Sequence, residues 1–569
     1  RGNVINILEL SERFGFESGC FCLNDARLIA ELYKKKGLDF VKYLNGLFNV
    51  AIYDKEKDRL LVANDRYGFY PLFYSLNKNM FVFASEAKAV VRASGELPVM
   101  NKAAIPEFFT FSFLLGNKTF FKNVQRMFPA CILTYDRGEN VARRKQYWKF
   151  SLRKNKIESF EGVVQTFCKL MRKSVKRLVQ DRNEIGVFLS GGLDSRLVAA
   201  FAHETGTPVM TYTFGTNNCL EQKIAAEVAA KLGVENIFFE IPSNFIARYA
   251  ESIVYKGDGM IRIRDCHFIS FLETIRKKTS TVLLGIFGGT LCCPLSFKKK
   301  LIRAKTRKDV MDYLFKTYTS VIPVEEYGDA FTAAFRSETR GTVENEFYQT
   351  FAEIPQLASP LDVAEYWEYY NREPGYIFHL FQHLNWFLET RYPFLDNDVV
   401  DFLAFRLPIK LKFKQTFRIR IPKIFLQKAI NYCFPSLADV RTSHELVPPD
   451  SHWLRVLLAA GHLFVRKRGI KALERLSHGR EILSPIDYRA YDKWIRTGSK
   501  DYVLDVLLDS RTLERGVFKP DYIRRILEEH MTAKRNHDQL ICDLINFELM
   551  NRIFFESAKR EDDTRRVHK

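Results

Sequence analysis

The feature that most limits how this chain can fold is a join. The apolar run Ile185-Gly186-Val187-Phe188-Leu189 passes without a linker into Ser190-Gly191-Gly192-Leu193-Asp194-Ser195, and a helical apolar repeat begins at once. A short, wholly apolar run bounded by a turn reads as a strand buried on both faces, the kind found in parallel sheets. Parallel neighbours need long crossovers, so strand and helix must alternate around it. They do: strands are predicted at 185–189, 209–214, 236–241 and 281–284, with helices at 193–205, 220–232 and 267–277. A helix-like stretch over 160–179 precedes them, and beyond about residue 300 the apolar spacing is mostly helical.

Upstream the pattern changes. The runs FNVAIYD, LLVAND, RYGFYPLFYSL and MFVFASEAKAVV are separated by charged or Asn-containing turns, the spacing of antiparallel hairpins. Helical periodicity over 25–33 and 37–44 makes this part α+β. The expected class is therefore α/β, with an N-terminal α+β domain over 1–150, a parallel-sheet domain over 151–440 and a helical C-terminal extension over 441–569. A chain of 569 residues, 47% hydrophobic, can bury two or three such cores.

Other features narrow the function classes. The ten cysteines show no CxxC pair, which argues against a zinc ribbon, and no signal-peptide pattern opens the sequence, so a reducing cytoplasm is expected. The longest strongly apolar run, 282–295, contains three glycines and falls short of the ~20 residues that span a bilayer. A net charge of +20 suits a polyanionic substrate as well as nucleic acid. The cluster Lys298-Lys299-Lys300 with Arg303, Lys305, Arg307 and Lys308 lacks interleaved aromatics and reads as a solvated face, so nucleic acid is not expected. His379 and His383 lie one helical turn apart, but no Glu follows His379 and no third ligand is evident; a packed pair is expected rather than zinc.

The chemistry points to the glycine turn. Unpaired amides and the helix dipole at a helix N-terminus attract anions, and glycines let backbone approach phosphate oxygens without a Cβ in the way. Ser190 and Ser195 add hydroxyl donors, and Asp194 offers a carboxylate to the Mg²⁺ that accompanies a nucleotide. No Lys follows in the GxxxxGK[ST] pattern, so γ-phosphate transfer is not expected.

SGGLDS after a strand resembles the PP-loop of ATP pyrophosphatases. Two further stretches narrow the likeness. Trp386-Phe387-Leu388-Glu389-Thr390-Arg391-Tyr392-Pro393-Phe394-Leu395-Asp396 is similar to the Glu-x-Arg-x-Pro-Phe-Leu-Asp segment of asparagine synthetases. Asp65-Arg66-Tyr67-Gly68-Phe69-Tyr70-Pro71-Leu72-Phe73 resembles a signature of their class II glutamine amidotransferase domain. The resemblance implies a partial Ntn-hydrolase-like sandwich followed by a synthetase domain of the adenine nucleotide alpha hydrolase kind, using ATP and Mg²⁺. It implies ATP binding by Leu189, Ser190, Gly191, Gly192, Asp194, Ser195 and Phe214, and by a second loop at Gly285, Ile286, Gly288 and Gly289, with Asp194 as metal ligand. It implies catalytic roles for Arg391 and Lys428, with Lys423 as the fallback, and a glutamine-site remnant at Asp25. The implied partners are a small carboxylate, aspartate in the simplest case, activated as an acyl-adenylate, and ammonia or another amine. No membrane is implied, and a homodimer is left open. β-Lactam synthetases and lasso-peptide cyclases look similar and close an amide within one molecule.

Three departures qualify those expectations. The family's N-terminal nucleophilic Cys, with the half-domain that precedes the position of Gly2-Asn3-Val4-Ile5-Asn6, is absent from this sequence, which is either a fragment or the product of a gene that has lost that half-domain; the residues present are expected to supply no nucleophile for glutamine hydrolysis. The family's second loop reads Ser-Gly-Glu-Gly-Ser-Asp-Glu; here Phe287, Thr290 and Leu291 replace its acids. Asp258 and Asp265 are the nearby substitutes if the loops fold towards Asp194. The helix expected to carry the catalytic Lys has Gln427 at that position and Lys428 beside it. A catalytically degenerate binding or regulatory protein is the rival reading.

Overall fold

The computed structural model describes residues 2–16, 25–78, 80–150, 159–292, 301, 303–355, 359–406, 413–416, 419–443 and 488–557. The N-terminal part forms strands β1 (Gly2–Val4), β2 (Gly46–Asp54), β3 (Arg59–Asn64), β4 (Phe73–Leu76), β5 (Phe81–Ala84), β6 (Gln125–Arg126), β7 (Cys131–Asp136) and β8 (Val141–Gln146). They make two antiparallel sheets, in the orders β1-β2-β3-β7-β8 and β5-β4-β6. The Asp65-Arg66-Tyr67-Gly68 signature is a turn between them. The buried Asp65 carboxylate accepts the backbone N–H groups of Phe48 (3.1 Å), Tyr67 (2.8 Å) and Phe69 (3.3 Å). Gly68, at φ +59°, supplies the left-handed step that the turn requires.

The second sheet is parallel: β9 (Ile185–Phe188), β10 (Val209–Gly215), β11 (Glu235–Glu240), β12 (Thr281–Leu283) and β13 (Glu389–Arg391), in the order β11-β10-β9-β12-β13. The four predicted strands appear within a residue of their expected ends. β13 was not predicted, being too short to show a period inside the Glu-Thr-Arg-Tyr-Pro segment. The helix expected over 267–277 is broken into a 3₁₀ turn, His267–Ser270, and a short helix, Leu272–Arg276. From β9 the chain winds to one side through β10 and β11, then returns to the other side for β12. That reversal marks the switch point at the carboxyl ends of β9 and β12, the place of the ligand crevice in open α/β sheets.

Helix Phe160–Val179 is capped by Ser159, whose hydroxyl accepts the Gly162 N–H at 3.1 Å, and it buries Val163, Phe167, Met171, Val175 and Leu178. It packs against helices Asn397–Arg406 and Ile424–Cys433, and a Cys168–Cys433 disulfide joins it to the latter, a pairing the scattered cysteines did not signal. The expected helical character of the C-terminal part holds in Lys500–Leu507, Pro520–Met531 and Asp538–Met550. Among the described residues no helix is long and apolar enough to cross a membrane. Lys298-Lys299-Lys300 lie outside the described residues, as does the side chain of Asp25, which opens helix Asp25–Lys36.

The two sheet systems share a polar seam. Asn45 donates to Asp396 (3.0 Å) and accepts the Asn397 N–H (2.9 Å), the Tyr67 hydroxyl donates to Asn397 (2.9 Å), and Arg66 pairs with Asp401 (2.9 Å).

Candidate nucleotide site

The strand continues into its loop under control. The Leu189 N–H donates to the Tyr212 carbonyl (2.9 Å), and the Leu189 carbonyl accepts the Thr213 hydroxyl (2.8 Å). Ser195 Oγ then accepts the Ser190 N–H (3.1 Å) and shares a hydrogen bond with Ser190 Oγ (2.9 Å), while Gly192 N–H donates to Ser190 Oγ (3.2 Å). Gly192 caps helix Leu193–Glu204 and has no side chain to offer its first amides, so that end of the helix suits an anion. The crossing segment at Ser443 donates its N–H to the Gly191 carbonyl (3.0 Å). A Cβ on Gly191 would fall 2.7 Å from the Ser443 Cβ, so no larger residue fits there.

The second loop closes on the first. A Cβ on Gly285 would meet the backbone of Asp194 and Ser195 at 2.8 Å; one on Gly288 would meet Asp194 Oδ1 at 2.7 Å and the Phe394 ring at 2.8 Å. Glycine at 285 and at 288 is thus the condition for the two turns to touch. Ile286, half-buried, lies between them. Phe394 is fully buried, and Ser174 Oγ donates to the neighbouring Pro393 carbonyl (2.8 Å), so the Tyr-Pro-Phe-Leu-Asp segment is the floor under the second loop.

The cation at this junction is Lys423. Its ammonium is hydrogen-bonded to Asp194 Oδ2, and a Cβ on Gly289 would lie 3.4 Å from it. Lys423 stands at the start of helix Ile424–Cys433 with φ +53°. Lys428 is exposed on that same helix, and it is the fallback residue, Lys423, that meets Asp194. One residue turns a helix by ~100°, and periodicity alone did not fix the register.

Arg391 is placed away from this junction. Its guanidinium donates to Asp181 (2.8 Å), to Glu389 (2.6 Å) and to the Leu178 carbonyl. Residues 178–181 lead into the amino end of β9, at the opposite edge of the sheet from the loops. Arg391 therefore ties strand to helix and does not face the crevice. Asp258 and Asp265 do not turn to Asp194 either. Asp258 caps helix Ala87–Ser94 by accepting the Ala87 N–H (2.7 Å), and Asp265 accepts from Tyr376 (2.9 Å) beside Arg262 (3.3 Å). Phe214 is half-buried at the end of β10, edge-on to Phe268 at 4.5 Å, whereas Leu189 is 2% exposed and takes part through its backbone.

Phe287 takes the place of an acid in a way the sequence did not reveal. It has φ +73° and is packed by Tyr67 (6.1 Å), Tyr369 (5.6 Å) and Phe378 (5.4 Å). Tyr67 belongs to the N-terminal signature turn, so that turn reaches the second loop. Sequence reasoning also missed Arg196. It is fully buried just after the loop and donates to the carbonyls of Val440 and Arg441, both at 2.7 Å, fixing the segment that ends at Ser443. A lone Arg immediately before the apolar run LVAAFA was the available signal.

The donor set fits a metal that arrives with its nucleotide. Asp194 Oδ1 is buried without a hydrogen-bond partner, and no cluster of three metal-binding side chains occurs among the described residues. One orphaned carboxylate oxygen matches Mg²⁺ held by one protein ligand plus phosphate oxygens. The histidines expected to pack do so: His379 lies against Phe73 (6.2 Å) and His383 against Phe268 (5.7 Å), and burial pushes their imidazoles down to about 3 and about 4.

Comparison with known proteins agrees with this geometry. A family model described as asparagine synthase matches residues 166–462, just over half the chain. The chain belongs to the asparagine synthase family. A second model, a glutamine amidotransferase domain, matches residues 1–148. Among similar proteins is a putative asparagine synthetase 2 (glutamine-hydrolyzing) of Methanocaldococcus jannaschii, 31% identical over 37% of this chain and 41% of its own length. Asparagine synthetase 2 (glutamine-hydrolyzing) of Bacillus subtilis is 32% identical over 32% of this chain and 26% of its own. The chain thus spans less than half the length of either. A putative asparagine synthetase (glutamine-hydrolyzing) of Mycobacterium tuberculosis is 23% identical over 88% of the chain and 81% of its own length.

Proposed function

We propose that this asparagine synthase family member is an ATP-dependent amide-forming ligase that activates a small carboxylate, such as aspartate, as an acyl-adenylate for attack by ammonia or another amine. The observation that carries the reading is the Lys423–Asp194 pair at the junction of two glycine loops. An ammonium, an orphaned carboxylate oxygen and a helix N-terminus meet at one point, which is what a polyphosphate with a divalent cation requires. In this reading the amides of the 190–195 turn hold phosphate, and the Lys423 ammonium leaves Asp194 for the negative charge that develops on the departing pyrophosphate. Mg²⁺, when bound with ATP through Asp194, neutralises phosphate charge. In the same reading residues 1–150 are the amidotransferase-like domain, 151–440 the synthetase domain and 441–569 its C-terminal extension.

The test is pyrophosphate release by the full chain with MgATP, L-aspartate and ammonium, with asparagine as product. Release that depends on aspartate supports the reading; none across carboxylates and amines, while nucleotide still binds, opposes it. The caged Phe287 favours one other reading, a nucleotide-binding protein that has lost turnover. Phe287→Glu would bury a charge among aromatic rings, so restoring that acid alone is expected to unfold the loop and not revive it.

A further inference from the structure

An amine that becomes an amide must shed a proton, and the second loop carries no acid to receive it. The structure brings one from elsewhere. Thr290, half-buried, follows Gly289, a Cβ on which would lie 3.4 Å from the Lys423 ammonium, and its hydroxyl donates to Glu373 Oε1 at 3.1 Å. Glu373 is fully buried, and its other oxygen, Oε2, has no hydrogen-bond partner. Among the described residues the charged group that hydrogen-bonds it is Arg372, at 3.0 Å. Glu373 lies in the π-helical stretch Glu368–Ile377, which contains Pro374; such wide turns are frequent at functional sites.

We propose that Thr290 and Glu373 form a proton relay for the attacking amine, replacing from the Glu368–Ile377 segment the carboxylate function that the second loop lacks. The idea rests on the ligase reading. The amine lone pair forms the C–N bond to the acyl carbon of the adenylate. Its N–H proton passes to Thr290 Oγ1 as that hydroxyl's own proton passes to Glu373 Oε1, and the C–O bond to phosphate breaks with its electron pair leaving on AMP. With Glu373 ionised, the Thr290 hydroxyl donates to it, which is the direction the relay needs. Burial, opposed by Arg372 and reinforced by Glu368, pushes the Glu373 carboxyl up to about 7, a range in which an acid both accepts and returns a proton. Glu373 acts through Thr290 and is a positioning residue in that sense.

The two half-reactions separate the possibilities. In the full chain, aspartate-dependent exchange of labelled pyrophosphate into ATP reports adenylation, and asparagine formation reports amine transfer. Thr290→Val and Glu373→Gln are expected to keep exchange while transfer from ammonia falls ~100-fold, the scale of general acid–base catalysis. Thr290→Ser, which keeps the hydroxyl, should retain transfer. Hydroxylamine, whose attacked form sheds its proton more readily to water, should lose less than ammonia in both impaired variants. Intact exchange with unchanged transfer, or equal losses for both amines, overturns the relay and leaves the ligase standing. No exchange in the unaltered chain overturns the ligase reading, and the relay with it.

Discussion

At the scale of single residues the site was legible where chemistry is carried by backbone and short side chains. Ser190, Gly191, Gly192, Asp194 and Ser195 lie where a strand-turn-helix join puts them, and Gly285 and Gly288 meet them because each lacks a Cβ. Gly288→Ala is therefore expected to push Asp194 and Phe394 apart, costing about 1–3 kcal/mol by overpacking, and to weaken MgATP binding in calorimetry. What the sequence hid was long side chains whose direction depends on register. Lys423 and Lys428 differ by five positions on one short segment, and only the fold shows which points at Asp194. Lys423→Met is expected to remove pyrophosphate release, and Lys428→Met to leave it unchanged, in the same aspartate assay.

At the scale of elements, the strands that apolar runs announce were found to within a residue, and β13 was missed because three residues carry no period. Its Arg391 shows why a motif match is not a role. The residue sits in the family segment, yet its guanidinium binds Asp181, Glu389 and a helix-end carbonyl, all at the far edge of the sheet. Arg391→Ala should lower stability by about 1–3 kcal/mol through lost charged hydrogen bonds, read by urea unfolding, while MgATP affinity stays as in the parent chain. The discount reflects Asp181 and Glu389, about half exposed and able to turn to water. Phe394→Ala should do the opposite in kind. Emptying the floor beneath Gly288 costs about 3–5 kcal/mol and disturbs the nucleotide loop as well.

At the scale of the whole molecule, the division into an antiparallel N-terminal part, a parallel sheet and a helical end was readable from the change in apolar period. The seam between the parts was not, since Asn45, Tyr67, Arg66, Asn397 and Asp401 are polar residues that a sequence reading assigns to the surface. Buried imidazoles give the fold a pH signature. His383, held neutral by burial, has a folded value near 4, below the ordinary 6.5, so the unfolded chain binds the extra proton between those limits. Its contribution is present above about pH 6.5 and fades as pH falls, by about 1.4 kcal/mol per unit. Asp65 and Glu373, pushed up to about 7, act in the opposite sense, so the difference between parent and His383→Gln is the quantity to measure. That variant should lose stability less steeply on acidification. The central claim, that the 190–195 turn and the 285–290 loop together hold a nucleotide through Asp194, is tested most directly by calorimetric titration of MgATP into the full chain and into Asp194→Asn. Saturable heat is expected from the parent chain and at least a roughly tenfold weaker affinity in the variant, about 1.4 kcal/mol; equal binding by the two, or no heat from either, would rule such a site out.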